Sequence, residues 1–374
     1  MTEEFPLAPD LCHLNHAAVG PWPRRTAEAV ARFAEENASQ GSVGYPQWLG
    51  VEQRLRERLA RLIAAESADD IALAKNTSEA LSIIAHGLSW SPGDNIVGIR
   101  QEFPSNRIVW ESLADRGVEW RALDLAASSD PEPDLLALCD ASTRMIAVSW
   151  VQYASGLRLD LEGIGAFCRA NDILFCVDAI QGLGALPFDL ASTRADFVVA
   201  DGHKWMLGPE GVALLYVRPE LRDTLSLHQF GWHMVEHCGD FDRTHWTPAA
   251  SARRFECGSP NLLGVHALEA SLSLLEEVGM NKVWEGIQAR ADHLIALIDR
   301  RGFDLVTPRE SERRAGILTF RVPGVASDHL YPALMGRRVL CAHRGGGIRF
   351  SPHFYTPLEV IDRAMETLDQ IVRG

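Results

Sequence analysis

Asp178 and Lys204 are the residues around which this chain's chemistry can be organised. Two apolar runs of strand type, Ile173 to Val177 and Phe197 to Ala200, end in polar residues: Asp178 and Gln181 after the first, Asp201, His203 and Lys204 after the second. Short apolar runs of this kind predict buried strands. The interval from Asp178 to Lys204 fits one strand, one crossover and the next strand, so carboxylate, amide and amine are expected at one sheet edge. Singly, an Asp after a strand is more often a turn residue and a lone Lys a solvated charge. Jointly, with Gly202, Gly208 and Gly211 around Lys204, they suit pyridoxal phosphate. A lysine condenses with its aldehyde, and an acid keeps the pyridine nitrogen protonated so that the ring accepts electrons.

The elements that must position this set follow from pattern. Arg24 to Glu36 and Trp48 to Ala65 read as helices, then Ile71 to Ala74 as a strand passing through Lys75-Asn76-Thr77-Ser78 into a helix ending near Leu88. A helix start rich in hydroxyls is a natural phosphate site, because unpaired N–H groups and the positive dipole end both favour an anion. Asn95 to Ile99 reads as a strand delivering Gln101-Glu102-Phe103-Pro104-Ser105-Asn106, and Met145 to Trp150 as one delivering Gln152 and Tyr153. Leu161 to Arg169 is helical, and Val212 to Val217 is the strand after Lys204. Such alternation predicts a mainly parallel sheet with ligands outside the carboxyl ends of its strands. Leu221 to Ala252 has no clear period and reads as irregular. Two long helices, Leu262 to Val278 and Lys282 to Arg301, lead to a strand from Gly316 to Val322 and a short α+β region. There Arg349 lies in a strand-like Ile-Arg-Phe-Ser, where its fork could hold a carboxylate bidentately.

Val177-Asp178-Ala179-Ile180-Gln181-Gly182, followed by Asp201-Gly202-His203-Lys204-Trp205-Met206-Leu207-Gly208-Pro209-Glu210-Gly211, resembles the class V aminotransferase superfamily. These are fold type I pyridoxal phosphate enzymes, among them cysteine desulfurases, kynureninases and isopenicillin N epimerase-like proteins. The resemblance runs, with gaps, from about Leu14 to about Arg373. It implies an α/β fold in which residues 1–20 form an N-terminal arm and 21–252 a large cofactor-binding domain with a mainly parallel, seven-stranded sheet. Residues 253–374 would form linker helices and a small C-terminal α+β domain. It also implies that Lys204 carries the cofactor and moves protons at the substrate α-carbon, that Asp178 protonates the ring nitrogen, and that Gln181 hydrogen-bonds the ring's phenolic oxygen.

By the same resemblance Thr77 and Ser78 hold the phosphate, His203 touches the phosphate or ring edge, and Phe103 stacks on the pyridine as in kynureninases. Such stacking contributes about 0.5 to 1.5 kcal/mol beyond burial. Asn15, His16 and Ala17 border the substrate, Gln152 or Tyr153 contacts substrate or cofactor, and Arg349 anchors the substrate carboxylate. Ser259, in Gly258-Ser259-Pro260-Asn261, reaches the cofactor phosphate of a neighbouring subunit, which implies a homodimer with shared sites. Asp201 replaces the Ser common in desulfurases and argues against a direct phosphate contact there.

Composition narrows the remaining classes. Fifty acidic residues against 36 Lys plus Arg, a formal charge of −14, argue against broad nucleic-acid or anionic-membrane binding. Seven scattered cysteines without a CxxC pair suggest reduced thiols, and no leader or apolar span is evident, so a cytoplasmic protein is expected. His233, His237 and His245 lack any ligand spacing, so no metal is expected. Neither GxGxxG nor GxxxxGK[ST] occurs, and a non-catalytic cofactor-binding regulator could dispense with Arg349 or Asp178, yet Asp178, Lys204 and Arg349 are all present. The reaction expected on a small amino acid proceeds through an external aldimine and α-proton abstraction. A lyase performing β-elimination or C–S or C–C cleavage comes first, then an epimerase or aminotransferase. A desulfurase would have to use Cys341, because the span between Arg344 and Arg349, where desulfurases carry their mobile nucleophilic cysteine, is only Gly-Gly-Gly-Ile.

Overall fold

The computed structural model describes residues 3–373. In chain order, β1 (Cys12–His13) precedes helices α1 (Arg24–Gln40) and α2 (Tyr45–Ile63), the second opening on a proline at its first turn and closing at Ala64 in the left-handed region. Then come β2 (Ile71–Ala74), α3 (Thr77–Gly87), β3 (Asn95–Ile99), α4 (Ser105–Glu111), β4 (Glu119–Leu123), α5 (Pro131–Leu136) and β5 (Thr143–Ser149). They are followed by α6 (Leu161–Ala170), β6 (Leu174–Asp178), α7 (Leu190–Thr193), β7 (Phe197–Asp201) and β8 (Ala213–Val217). Side-chain caps explain several starts: Asn76 accepts from the Glu79 N–H at α3, and Asp160 accepts from the N–H groups of Glu162 and Gly163 at α6.

These strands form a seven-stranded sheet in the order β2-β8-β7-β6-β5-β3-β4. From β4 to β7 all neighbours are parallel, whereas β8 is antiparallel to both β7 and β2. The reversal has a simple cause. Residues 202–212 hold no helix, and a parallel return needs a longer crossover. Both faces of the sheet are covered, and alternate residues serve opposite cores: Val97, Val148, Phe175, Val177 and Val198 on one, Ile96, Ala147, Cys176, Phe197 and Val199 on the other.

After the irregular stretch come α8 (Leu262–Val278), packed against α1 and α2, and α9 (Met280–Arg300). Then follow β9 (Asp304–Leu305), β10 (Leu318–Arg321), α10 (Ser327–Gly336), β11 (Val339–Leu340), β12 (Ala342–Arg344), β13 (Gly347–Phe350) and α11 (Leu358–Arg373). A four-stranded antiparallel sheet, β12-β13-β10-β9, carries a core of its own around Phe320, Phe350, Ile298 and Leu368. The N-terminal segment joins the two sheets. β1 pairs in parallel with β11, Asn15 bridges Ser351, and the Gly20 N–H donates to the His203 carbonyl at 2.8 Å. A Cβ at Gly20 would overlap the Lys204 carbonyl, so only glycine permits this approach. Among the described residues no helix is long and apolar enough to cross a membrane.

Candidate active site

The carboxyl ends of β6 and β7, the start of α3 and the loops after β3 and β5 enclose a cavity of about 270 Å³. Lys204, Asp178 and Gln181 line it together with Thr77, Ser78 and His203. Phe103, Tyr153 and Arg349 line it too, and the N-terminal segment contributes Ala17 and Ala18. A larger hollow, about 440 Å³, lies among Phe230, Trp232, Phe241 and Trp246, but its lining includes no lysine and no buried carboxylate, so it lacks the chemistry of the first.

Burial tunes the charged groups of the cavity. Asp178 is 2% exposed; its Oδ1 accepts from the Ile180 N–H at 3.0 Å, and burial pushes the carboxyl up to about 6 against the opposing pull of Lys204. Lys204, 8% exposed, is brought down to about 8 by burial, with Asp178 working the other way. Its Nζ lies 5.5 Å from the centre of the Phe103 ring. Arg349 donates through Nη1 to the Tyr153 carbonyl at 2.7 Å and through Nη2 to Asn15 Oδ1 at 3.4 Å, while its buried Nε has no protein partner. The Thr77 hydroxyl accepts from the Asp201 N–H at 3.2 Å, the Ser78 hydroxyl donates to Ser105 Oγ at 2.7 Å, and His203 Nδ1 stands 3.1 Å from Asp201 Oδ1. Gln181 is fixed between the Ala17 carbonyl, to which it donates at 3.0 Å, and the Trp205 indole N–H, from which it accepts at 2.9 Å. One amide N–H remains for another partner.

Three of the expected contacts fall elsewhere. His16 is fully buried, with one ring nitrogen 2.9 Å from the Ser351 carbonyl and the other 2.7 Å from the Tyr355 hydroxyl. It belongs to a packed histidine cluster behind the wall rather than to the lining. Asn15 reaches the site only through Arg349. Of the Gln152 and Tyr153 alternatives, Tyr153 lines the cavity; Gln152 points into the interior, 1% exposed, and donates to Glu102 at 3.1 Å. Ser259, expected to serve a neighbouring subunit rather than its own, is exposed and lines a different hollow, with Lys75, Gly211 and Cys257. Cys341 does not line the Lys204 cavity. It is 1% exposed in the core of the small sheet, and burial pushes its thiol up to about 12.

Sequence reasoning passed over Glu102 and Ser149. Glu102, fully buried and pushed up to about 7 by burial, accepts from the Ser149 N–H at 2.7 Å and from the Ser149 hydroxyl, and Ser149 pairs with Asp178 across β5 and β6. The available signal was position, since both residues follow or end apolar strands at the edge that carries Asp178.

A second acidic cluster lies apart. Glu52, His233 and Glu256 bring their ligand atoms within 4.8 Å of one another, but the Arg56 guanidinium already bridges the carboxylates, at 2.5 Å from Glu52 and 2.5 and 2.7 Å from Glu256. A guanidinium between the two acids makes this an ion-paired tie between α2 and the segment before α8.

A family profile described as "Aminotransferase class-V" matches residues 14–353. The chain belongs to the class V aminotransferase family. It is therefore a pyridoxal phosphate-dependent enzyme of that family, as the sequence led us to expect. A probable cysteine desulfurase of Methanothermobacter thermautotrophicus is 29% identical, the match covering 98% of this chain and 96% of that protein. Isopenicillin N epimerase of Streptomyces clavuligerus is 30% identical over the same shares. Among solved structures, the apo cysteine desulfurase of Thermococcus onnurineus NA1 superposes with a TM-score of 0.88 at 23% identity, covering 100% of this chain and 97% of that one. The cystine C-S lyase C-DES, solved with its product cysteine persulfide, gives 0.89 at 24%, covering 97% and 98%. These likenesses establish the α/β fold expected from sequence.

The residues present fit the family's cofactor on their own chemistry. A buried amine of lowered basicity faces a buried carboxylate, a capped helix start of more than two turns presents hydroxyls to the same cavity, and an unpartnered guanidinium N–H remains for an anionic ligand.

Proposed function

We propose that this enzyme is a lyase acting on a small or modified amino acid, breaking a bond at the β-carbon after loss of the α-proton. The observation that carries this reading is that Lys204, Asp178 and Arg349 line one cavity in which no cysteine takes part. Pyridoxal phosphate held at Lys204 supplies an electron sink for the charge left at the α-carbon. Asp178 holds a proton at the pyridine nitrogen. Arg349 fixes the substrate carboxylate, its Nε still free to donate, and so orients the α-C–H bond. The Lys204 amine, lowered to about 8 by burial, takes the α-proton and can return it to the departing group. Thr77, Ser78 and His203 would hold the phosphate end and Gln181 the phenolic oxygen, with Phe103 beside the ring.

The names of the relatives support cleavage of a carbon–sulfur bond and also favour a second reading, cysteine desulfurase. That reading needs an accessible thiolate, and Cys341 is buried with its thiol pushed to about 12. Incubating the purified protein with a panel of amino acids and identifying the products tests the choice. Oxo-acid with ammonia and the released β-substituent marks a lyase; the enantiomer or the transaminated acid marks the epimerase or aminotransferase reading. Persulfide on Cys341, with activity lost in Cys341→Ser, marks a desulfurase. We further propose a homodimer in which the exposed Ser259 serves the neighbouring subunit's phosphate, and a cytoplasmic enzyme, in keeping with seven unpaired cysteines.

A further inference from the structure

The wall in front of Lys204 is made by two neighbouring loops, and behind it the loops are tied by a buried polar pair. Phe103 and Tyr153 meet edge to face with ring centres 5.3 Å apart at 83°, and Phe103 stands over the Lys204 amine. One residue earlier on each loop, Glu102 and Gln152 turn inward and bond to each other at 3.1 Å. The exposed Phe103 and half-buried Tyr153 thus form the wall, and the buried Glu102 and Gln152 the tie. The Tyr153 loop is also held by its carbonyls, from Arg349 at Tyr153 and from Thr319 and Thr307 at Ala154 and Ser155. Those bonds join it to the C-terminal region; the Glu102–Gln152 bond joins it to the loop of Phe103.

The tie costs stability. Glu102 is fully buried, with its carboxyl pushed up to about 7, and Gln152 Oε1 is buried without a protein partner. Apolar residues of the same shape would avoid both penalties. We propose that Glu102 and Gln152 are positioning residues that set the pose of the Phe103–Tyr153 pair, and through it the orientation of whatever lies over Lys204. The inference deepens the cofactor-dependent reading of this cavity and rests on it for its kinetic consequence, though not for the geometry of the rings.

The test compares Gln152→Leu, Glu102→Leu and the conservative Glu102→Gln, which can keep an acceptor for the Ser149 N–H and Gln152 while donating to the Ser149 hydroxyl. In crystals of the cofactor-free protein, the two leucine variants should show the ring pair opened and Glu102→Gln should retain it. In the holoenzyme, the leucine variants should change the visible-region circular dichroism of the bound cofactor and lower kcat by about tenfold, with KM moving less. The Gln152→Leu effect should vanish in a Tyr153→Ala background, because the side chain acts through that ring. A ring pair still at 5.3 Å and 83° in Gln152→Leu, or equal effects with and without Tyr153, overturns the proposal. Failure of hydride to trap a cofactor on wild-type Lys204 sinks the functional reading instead, while the crystals still decide the positioning role.

Discussion

Two pairs of buried acids in this protein keep opposite company. Glu52 and Glu256 flank Arg56, whose guanidinium pairs with both and is itself raised by them against the cost of its burial. Glu102 and Asp178, at the carboxyl edge of the sheet, have hydroxyl, amide and backbone partners but no guanidinium, and across the cavity stands a lysine that burial also makes a weaker base. Asp178 is accordingly pushed up to about 6 and Glu102 to about 7. An ion-paired cluster braces the fold, whereas burial of acids without a cationic partner costs stability and is kept where a ligand or reaction supplies the missing partner.

Asp178→Ala should lower kcat on the order of a thousandfold, about 4 kcal/mol in barrier, with much less change in substrate affinity. Steady-state kinetics near wild type would move the electron-sink role to another residue. On the other side, Arg56→Met should leave two buried carboxylates uncompensated and cost about 3 kcal/mol or more in denaturant unfolding, with kcat of the folded enzyme little changed. A large kcat loss without destabilisation would show that the second cluster is not merely a brace.

The pH dependence sharpens the contrast. Because Glu102 binds its proton more tightly in the folded state than in the unfolded chain, its contribution favours folding below about pH 4.5 and is lost as pH rises through about 7. Asp178 acts in the same sense, between about pH 4 and about 6. The buried His13, His16 and His353, all lowered by burial, act in the opposite sense, so the test is the difference between variants: from pH 4.5 to 7.5 the stability of the cofactor-free protein to urea should change more favourably in Glu102→Gln than in wild type, by about 2 to 3 kcal/mol. Equal changes in both proteins would show that Glu102 carries no such linkage. The smallest effect belongs to Cys341→Ser, which should leave turnover within about twofold and lower the melting point slightly, since a buried thiol is exchanged for a hydroxyl.

What the sequence disclosed follows the same division. Strands buried on both faces, such as Asn95–Ile99 and Phe197–Asp201, are continuous apolar runs and were legible to within a residue. The edge strand Glu119–Leu123 was not, because Glu119-Trp120-Arg121 mixes polar and apolar residues along a half-exposed edge. The Asp178, Gln181 and Lys204 set was readable because polar residues interrupt apolar runs there. His16 and Gln152 show the limit: extended chain sends neighbours to opposite sides, and no local pattern told which of Gln152 and Tyr153 would face the cavity. Glu102 was hidden for a related reason, since a loop carboxylate is by default solvated and only its bonds to Ser149 reveal that it is buried.

Lys204 is proposed here as the amine that holds the cofactor. Borohydride reduction of the purified yellow holoenzyme, followed by peptide mapping, should place the reduced pyridoxyl adduct on Lys204, and Lys204→Ala should yield no adduct and no turnover. An adduct on Lys75, an exposed residue paired with Glu79, or on Lys282 would contradict it.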